Sequence, residues 1–209
     1  MKIDTLIVGP FEENCYLIHG TENRALIVDP GYDAGRILNE LRRKNLTADA
    51  YLLTHGHADH LAALHDVCTA QPAPVYLHSA DGAWAFGHAN QIPPYYPVPQ
   101  KPAVQFIHPG AGAKFSGAGH EFTVFETPGH TPGCICFYFE KEHIICTGDT
   151  LFKGSCGRTD LPGGDSRALT QSLKTLAALP PETAVYPGHG DSTTIGYEKR
   201  TNFFMQPHT

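Results

Sequence analysis

The residues with the clearest chemical capacity lie in one stretch, Thr54-His55-Gly56-His57-Ala58-Asp59-His60, which sets three histidines and a carboxylate within six positions. Neutral imidazole and carboxylate are ligands for borderline divalent ions such as zinc. The stretch follows the apolar run Ala50 to Leu53, which reads as a buried strand, and precedes Leu61-Ala62-Ala63-Leu64, of helix-forming composition. It is therefore a strand-to-helix turn. On nearly extended backbone, residues two apart point to one side, so His55 and His57 can reach a single ion, and Gly56 allows close backbone approach. Asp59 and His60 open the helix, where its dipole favours a carboxylate, and would reach a neighbouring position. Such a stretch is half of a two-metal site. Four ligands cannot complete two metal shells, so further His or Asp must come from other strand ends.

Three later stretches meet that demand. Thr127-Pro128-Gly129-His130-Thr131-Pro132-Gly133 places a histidine just after a strand, Thr147-Gly148-Asp149-Thr150 places an aspartate after another, and Pro187-Gly188-His189-Gly190 closes a third. Rigid strands presenting ligands at one sheet edge would produce this arrangement.

The elements that must position them begin with the apolar runs Ile3 to Val8, Cys15 to Ile18 and Ala25 to Val28, an expected antiparallel meander closed by Asp29-Pro30-Gly31. Ala34, Ile37, Leu38 and Leu41 recur at helical spacing over Asp33 to Lys44. A helix is expected from the ligand turn to about Ala70, a strand over Pro74 to Leu77 and a short helix over 79–87. The prolines of 91–102 forbid regular structure there. This loop reads as a stiff connector or as an aromatic wall built by Tyr95 and Tyr96. The second half is strand-rich, with runs at Val104 to Ile107, Glu121 to Glu126, Cys134 to Phe139, His143 to Cys146 and Thr183 to Tyr186, and an amphipathic helix over Ser166 to Leu179. The two halves have similar strand and helix content, which hints at two facing sheets.

The chain has 209 residues, 41% hydrophobic and 17% charged, with a net charge of −6 and no basic run, which speaks against a nucleic-acid partner. No apolar stretch approaches the roughly 20 residues that span a bilayer, so no membrane partner is expected. The first residues lack an export signal. The six cysteines are accordingly expected as reduced thiols in the cytoplasm. Histidines 19, 65, 78, 88, 108, 120, 143 and 208 lack any motif and read as surface or satisfied groups.

Taken together, His55-x-His57-x-Asp59-His60, Pro128-Gly129-His130, Gly148-Asp149 and Pro187-Gly188-His189-Gly190 resemble the metallo-β-lactamase superfamily in order and spacing. The resemblance covers nearly the whole chain. It implies an α/β fold, the αββα four-layer sandwich of two mixed β-sheets. It also implies that His55, His57 and His130 hold a first metal, that Asp59, His60 and His189 hold a second, and that Asp149 bridges them. Gly148-Asp149-Thr150-Leu151-Phe152, with Gly154-Ser155-Cys156-Gly157-Arg158-Thr159-Asp160, is similar to the glyoxalase II (hydroxyacylglutathione hydrolase) branch, in its short single-domain form. Residues 1–209 are then expected as one domain without the C-terminal helical domain of glyoxalase II proper. Where that family has Lys-x-Tyr touching glutathione, this chain has Arg158-Thr159-Asp160. Arg158 can still hold a carboxylate, whereas Asp160 cannot replace a tyrosine. Arg158, Asp160 and Asp165 are as readily a loop-fixing ion pair as a substrate contact.

The expected function is metal-dependent hydrolysis of a small-molecule thioester by a metal-bound hydroxide, with Asp59 catalytic alongside it and two divalent ions as cofactors: zinc, with iron or manganese as alternatives. The rival readings are a persulfide dioxygenase-like iron enzyme, a hydrolase of lactones or phosphoesters, and a metal-binding module without turnover.

Overall fold

A computed structural model describes residues 1–206. The chain opens with the expected meander, β1 (Lys2–Val8), β2 (Glu13–His19) and β3 (Arg24–Val28), paired antiparallel in the register Lys2 to His19 and Tyr16 to Val28. Helix α1 (Ala34–Arg43) returns the chain to β4 (Thr47–Leu52), which lies parallel to β3, and β5 (Val75–Tyr76) and β6 (Phe106–Ile107) extend the sheet in parallel to six strands. A second sheet also has six strands. Its antiparallel part is β7 (Lys114–Gly117), β8 (His120–Glu126), β9 (Ile135–Phe139) and β10 (Ile144–Gly148); beyond it lie β13 (Ala184–Pro187), parallel to β10, and β14 (Thr193–Thr194).

Side-chain alternation along the strands explains why the sheets stack. In β2, Cys15 and Leu17 face outward onto Ile37 and Leu41 of α1 and onto Leu64 and Val67 of α3 (Leu64–Ala70), while Tyr16 and Ile18 face the other sheet. In β9, Phe137 and Phe139 meet that inter-sheet layer, whereas Cys136 and Tyr138 pack on Leu169, Leu173 and Leu176 of α5 (Ser166–Ala177). Strands covered on both faces read as unbroken apolar runs, as these do. The result is the four-layer αββα sandwich. No helix among the described residues is long and apolar enough to cross a membrane.

Several expectations need correction. The helix after the ligand turn is broken into α2 (Ala58–Leu61) and α3, because the Ala63 N–H donates to the Pro30 carbonyl at 3.1 Å and not to the preceding turn. The short helix expected over 79–87 is only α4 (Ser79–Gly82). Strand β7, with one aromatic in a half-exposed edge, left too weak a pattern to read, as did the β11 (Leu151–Phe152) and β12 (Ser155–Cys156) hairpin, β14, and α6 (Ile195–Thr201). The proline-rich segment is a loop, pinned by one bridge between Ile92 and Tyr96.

Candidate metal centre

Five of the seven histidines and aspartates lie just past a strand end, and the other two sit in the helix that follows the turn after β4. The turn after β4 carries His55 and His57; His57 is still extended (φ −67°, ψ 147°) as it starts α2, which lifts Asp59 and His60. His130 follows β8, and Asp149 follows β10, where a bulge at Thr147 turns the strand. His189 follows β13.

The structure brings all seven together. His57 Nδ1 lies 3.1 Å from His55 Nε2 and 2.9 Å from His130 Nε2. A second group forms beside it, with Asp59 Oδ2 at 3.4 Å from His189 Nε2 and 3.8 Å from His60 Nε2. The Asp149 carboxylate stands between the groups: Oδ1 is 3.3 Å from His60 Nε2, and Oδ2 is 3.5 Å from His130 Nε2 and 3.8 Å from His189 Nε2.

The other ring nitrogens decide what the converging ones present. His130 Nδ1 meets the Arg158 carbonyl at 2.8 Å, His189 Nδ1 the Phe11 carbonyl at 3.0 Å, and His60 Nδ1 the Asp29 carboxylate at 3.1 Å. Those oxygens only accept, so these nitrogens donate, and the opposite nitrogen of each ring turns a lone pair inward. The Thr54 hydroxyl donates to Asp29 Oδ2 at 2.6 Å and so accepts from His55 Nδ1 at 3.1 Å. Buried His60 Nε2 and Asp149 Oδ1 have no hydrogen-bond partner among the described residues. Orphaned buried polar atoms cost about 1–3 kcal/mol each, so inward ring nitrogens converging on two carboxylates fit a pair of divalent cations. The nitrogen and oxygen donors suit zinc, iron or manganese.

Electrostatics divides the cluster. Burial and the neighbouring imidazoles hold His55 well below its ordinary range and pull His57 down to about 4. Burial would depress His60 and His189 as well, but the Asp149 and Asp59 carboxylates more than offset it and hold both rings above their ordinary value. Desolvation would raise Asp149 and Asp59, and the same two histidines keep them low.

Several supporting residues escaped sequence reading. Asp29 also accepts from the Thr54 N–H at 2.8 Å. Asp81, fully buried, accepts from the Gly56 N–H at 2.8 Å, the Thr131 hydroxyl at 2.6 Å and the Gly133 N–H at 2.8 Å, so it ties the His55–His57 turn to the His130 loop. Asn90 donates to the Gly56 carbonyl at 2.7 Å and accepts from the Ala58 N–H at 3.1 Å. The Asn14 amide donates to the carbonyls of Pro187 at 3.1 Å and Gly190 at 2.8 Å, bracketing His189. Behind His60 lies Glu13, fully buried with both oxygens without a hydrogen-bond partner among the described residues, and burial pushes its carboxyl well above the ordinary range. Single Asp, Asn and Glu residues without a pattern gave no signal for any of these.

A cleft of 620 Å³ reaches the site at His57, lined by Phe11, Trp84, Ile92, Leu161 and Arg158 among others. Tyr95 and Tyr96 do not form its wall. They stand behind Phe11 with ring centroids 5.5 and 5.1 Å away. Arg158 is in the lining, but Nε and Nη2 both donate to Asp160 at 2.7 Å, the ion pair that the sequence allowed. Asp160 lines a neighbouring groove instead. The motif-free histidines are mostly satisfied, His108 by the Leu77 carbonyl and His120 by Glu142. The exception is His65, whose buried Nδ1 has no partner among the described residues; His208 lies outside them. All six cysteines are free, and only Cys156 is not buried.

The family model of the Metallo-beta-lactamase superfamily matches residues 8–189. A "probable metallo-hydrolase", YqgX of Bacillus subtilis, is 37% identical, with 98% of each chain covered. The "hydroxyacylglutathione hydrolase" GloC of Haemophilus influenzae is 34% identical, again with 98% of each chain covered. Among solved structures, the B3 metallo-beta-lactamase BLEG-1 superposes with a TM-score of 0.89 at 36% identity, covering 98% of this chain and 99% of that one. TTHA1623 in a di-iron-bound form superposes with a TM-score of 0.86 at 40% identity, covering 96% and 99%.

Proposed function

The chain belongs to the metallo-β-lactamase superfamily, and on that footing we propose that it is a thioesterase of glyoxalase II type, cleaving S-(2-hydroxyacyl)glutathione or a related acyl-thiol. The observation that carries the reading is the pair of donor groups joined through Asp149, with His57 of one group lining the 620 Å³ cleft. His55 Nε2, His57 Nδ1 and His130 Nε2 would hold one ion and Asp59, His60 and His189 the other, with the Asp149 carboxylate within reach of both groups. Divalent ions bound there would supply Lewis acidity, making water nucleophilic near neutral pH and polarising a carbonyl oxygen. We take zinc as the metal, with iron and manganese as the alternatives to test.

The chain's own residues do the rest. Asp59 stays ionised because His60 and His189 hold its carboxyl low against the effect of burial, so it balances charge and accepts a hydrogen bond from the attacking water. Asp29, Thr54 and the Arg158 and Phe11 carbonyls keep the imidazoles in one tautomer and one orientation. In the reaction a C–O bond to water oxygen forms as the C–S bond breaks and its electron pair leaves on sulfur; one water proton passes by way of Asp59 to solvent and the other is lost from the carboxylic acid product. A thiol has a pKa near 8.5, so the thiolate departs without a separate general acid.

The test is hydrolysis of S-D-lactoylglutathione by protein loaded separately with zinc, manganese or iron, beside His57→Ala. Turnover that disappears in the variant is expected. Absence of turnover in every metal form would overturn this thioester as substrate and direct the search to lactones, phosphoesters and β-lactams.

A further inference from the structure

The cleft restricts which thioesters fit, a deduction that rests on the thioesterase reading above. Its wall is formed by Phe11, Trp84, Ile92, Pro132, Leu161 and Pro162. Trp84 packs on the His57 ring with centroids 5.5 Å apart, so the apolar surface begins at the donor group itself. Phe11 is braced by Tyr95 and Tyr96, and Tyr96 in turn by Tyr32 at 5.3 Å, which makes that side stiff. Of the three polar side chains in the lining, His57 belongs to the donor cluster and the other two already have partners within the chain. The Asn90 side chain is engaged by the Gly56 and Ala85 carbonyls and the Ala58 N–H. Arg158, the one lysine or arginine of the lining, is held by Asp160 in an exposed two-point pair, so a ligand carboxylate would have to displace Asp160 to reach it. A glutathione arm carries two carboxylates and an ammonium, and a charge set against hydrocarbon without a partner is strongly disfavoured. An aliphatic or aromatic group meets no such cost.

We propose that this cleft takes an apolar arm of the thioester, with Phe11, Trp84 and Leu161 as specificity-determining residues, and that charged peptide arms are left outside it. The apolar arm is either the acyl group or the thiol, and two substrate series separate these sources. In one, a single thiol carries straight-chain acyl groups of increasing length; in the other, a lactoyl group is carried on glutathione, on N-acetylcysteamine and on alkyl or benzyl thiols. With metal-loaded protein, kcat/KM is expected to rise about fourfold per added methylene in one series. It should fall when the same arm ends in a carboxylate, and Leu161→Ser, on a half-buried loop position, should flatten the slope. Trp84 is the chain's single tryptophan, so its emission reads the cleft without turnover. Titration with a non-hydrolysable octyl thioether should change that emission, and the matching carboxyalkyl thioether should not.

Two flat series, or a preference of tenfold or more for the carboxylate-ended arm, would overturn the proposal while leaving the thioesterase reading intact. Failure to hydrolyse any thioester in any metal form would instead remove that reading, and the proposal with it.

Discussion

Replacing Asp81 with alanine tests whether the metal centre depends on a carboxylate that touches none of its ligands. The substitution strands three donors, the N–H groups of Gly56 and Gly133 and the Thr131 hydroxyl, around a fully buried position. Each buried donor left unpaired costs about 1–3 kcal/mol, and the three share one carboxylate, so their losses are not simply additive. We expect a loss of about 3–5 kcal/mol from a total of about 5–15 kcal/mol, a fall of about 6–20 °C in Tm for a chain of this size. Because Gly56 lies between His55 and His57, and Thr131 follows His130, slack in these loops spreads the first donor group. Metal affinity should drop about 10–100-fold, as for partners one step behind a ligand. Asp81→Asn should lose less, because its amide keeps one acceptor oxygen and turns its N–H₂ toward a donor. Urea denaturation of chelated and metal-loaded protein gives the first quantity, and competition with a chromophoric chelator gives the second. If Asp81→Ala unfolds within about 1 kcal/mol of the parent and holds metal equally well, the coupling argued here is wrong.

Asp29→Ala removes the acceptor for Thr54 and for His60 Nδ1, so metal uptake should weaken about 10–100-fold while circular dichroism stays that of the parent; unchanged uptake by metal analysis would show that His60 needs no orienting partner. Gly188→Ala would place a Cβ 2.3 Å from Asp149 Oδ1 and 2.6 Å from His60 Cε1, so it should abolish activity by parting two ligands, and full activity would contradict the packing described. In the metal-free protein, His60 and His189 sit above the ordinary value of 6.5, so their stabilisation is complete below that value and is lost as pH rises through the folded one. Asp149, held below 3.8, contributes above that value and loses its contribution as pH falls through its lower folded one. His55 and His57, held below 6.5, instead lose their stabilisation as pH falls below that value, so the four imidazoles together should make the metal-free form most stable near pH 6.5. Metal must displace the imidazole protons, so affinity should rise with pH through neutrality; calorimetry in two buffers of different ionisation heat should register proton release near pH 7, and finding none would refute these assignments.

The residues that bear on metal could be read in the sequence because ligand chemistry is a matter of residue type. Histidine and aspartate beside glycine, repeated at strand ends, kept that signature wherever the chain carried them, and all seven meet in the folded protein. The layers were legible for a similar reason, since runs such as Ile135–Phe139 are apolar on both faces and can only be an inner strand between two covers. What tertiary structure alone decided is what each ligand leans on. Asp29, Asp81, Asn14 and Asn90 matter through backbone groups that folding delivers to them, from the Ala85 carbonyl near Asn90 to the Gly190 carbonyl reached from Asn14. The cleft was decided the same way. Tyr95 and Tyr96 have the right composition for its wall, but Phe11, carried in by the turn between β1 and β2, stands in front of them. A side chain's chemistry travels with its letter, whereas its partner is fixed only when the whole chain has packed.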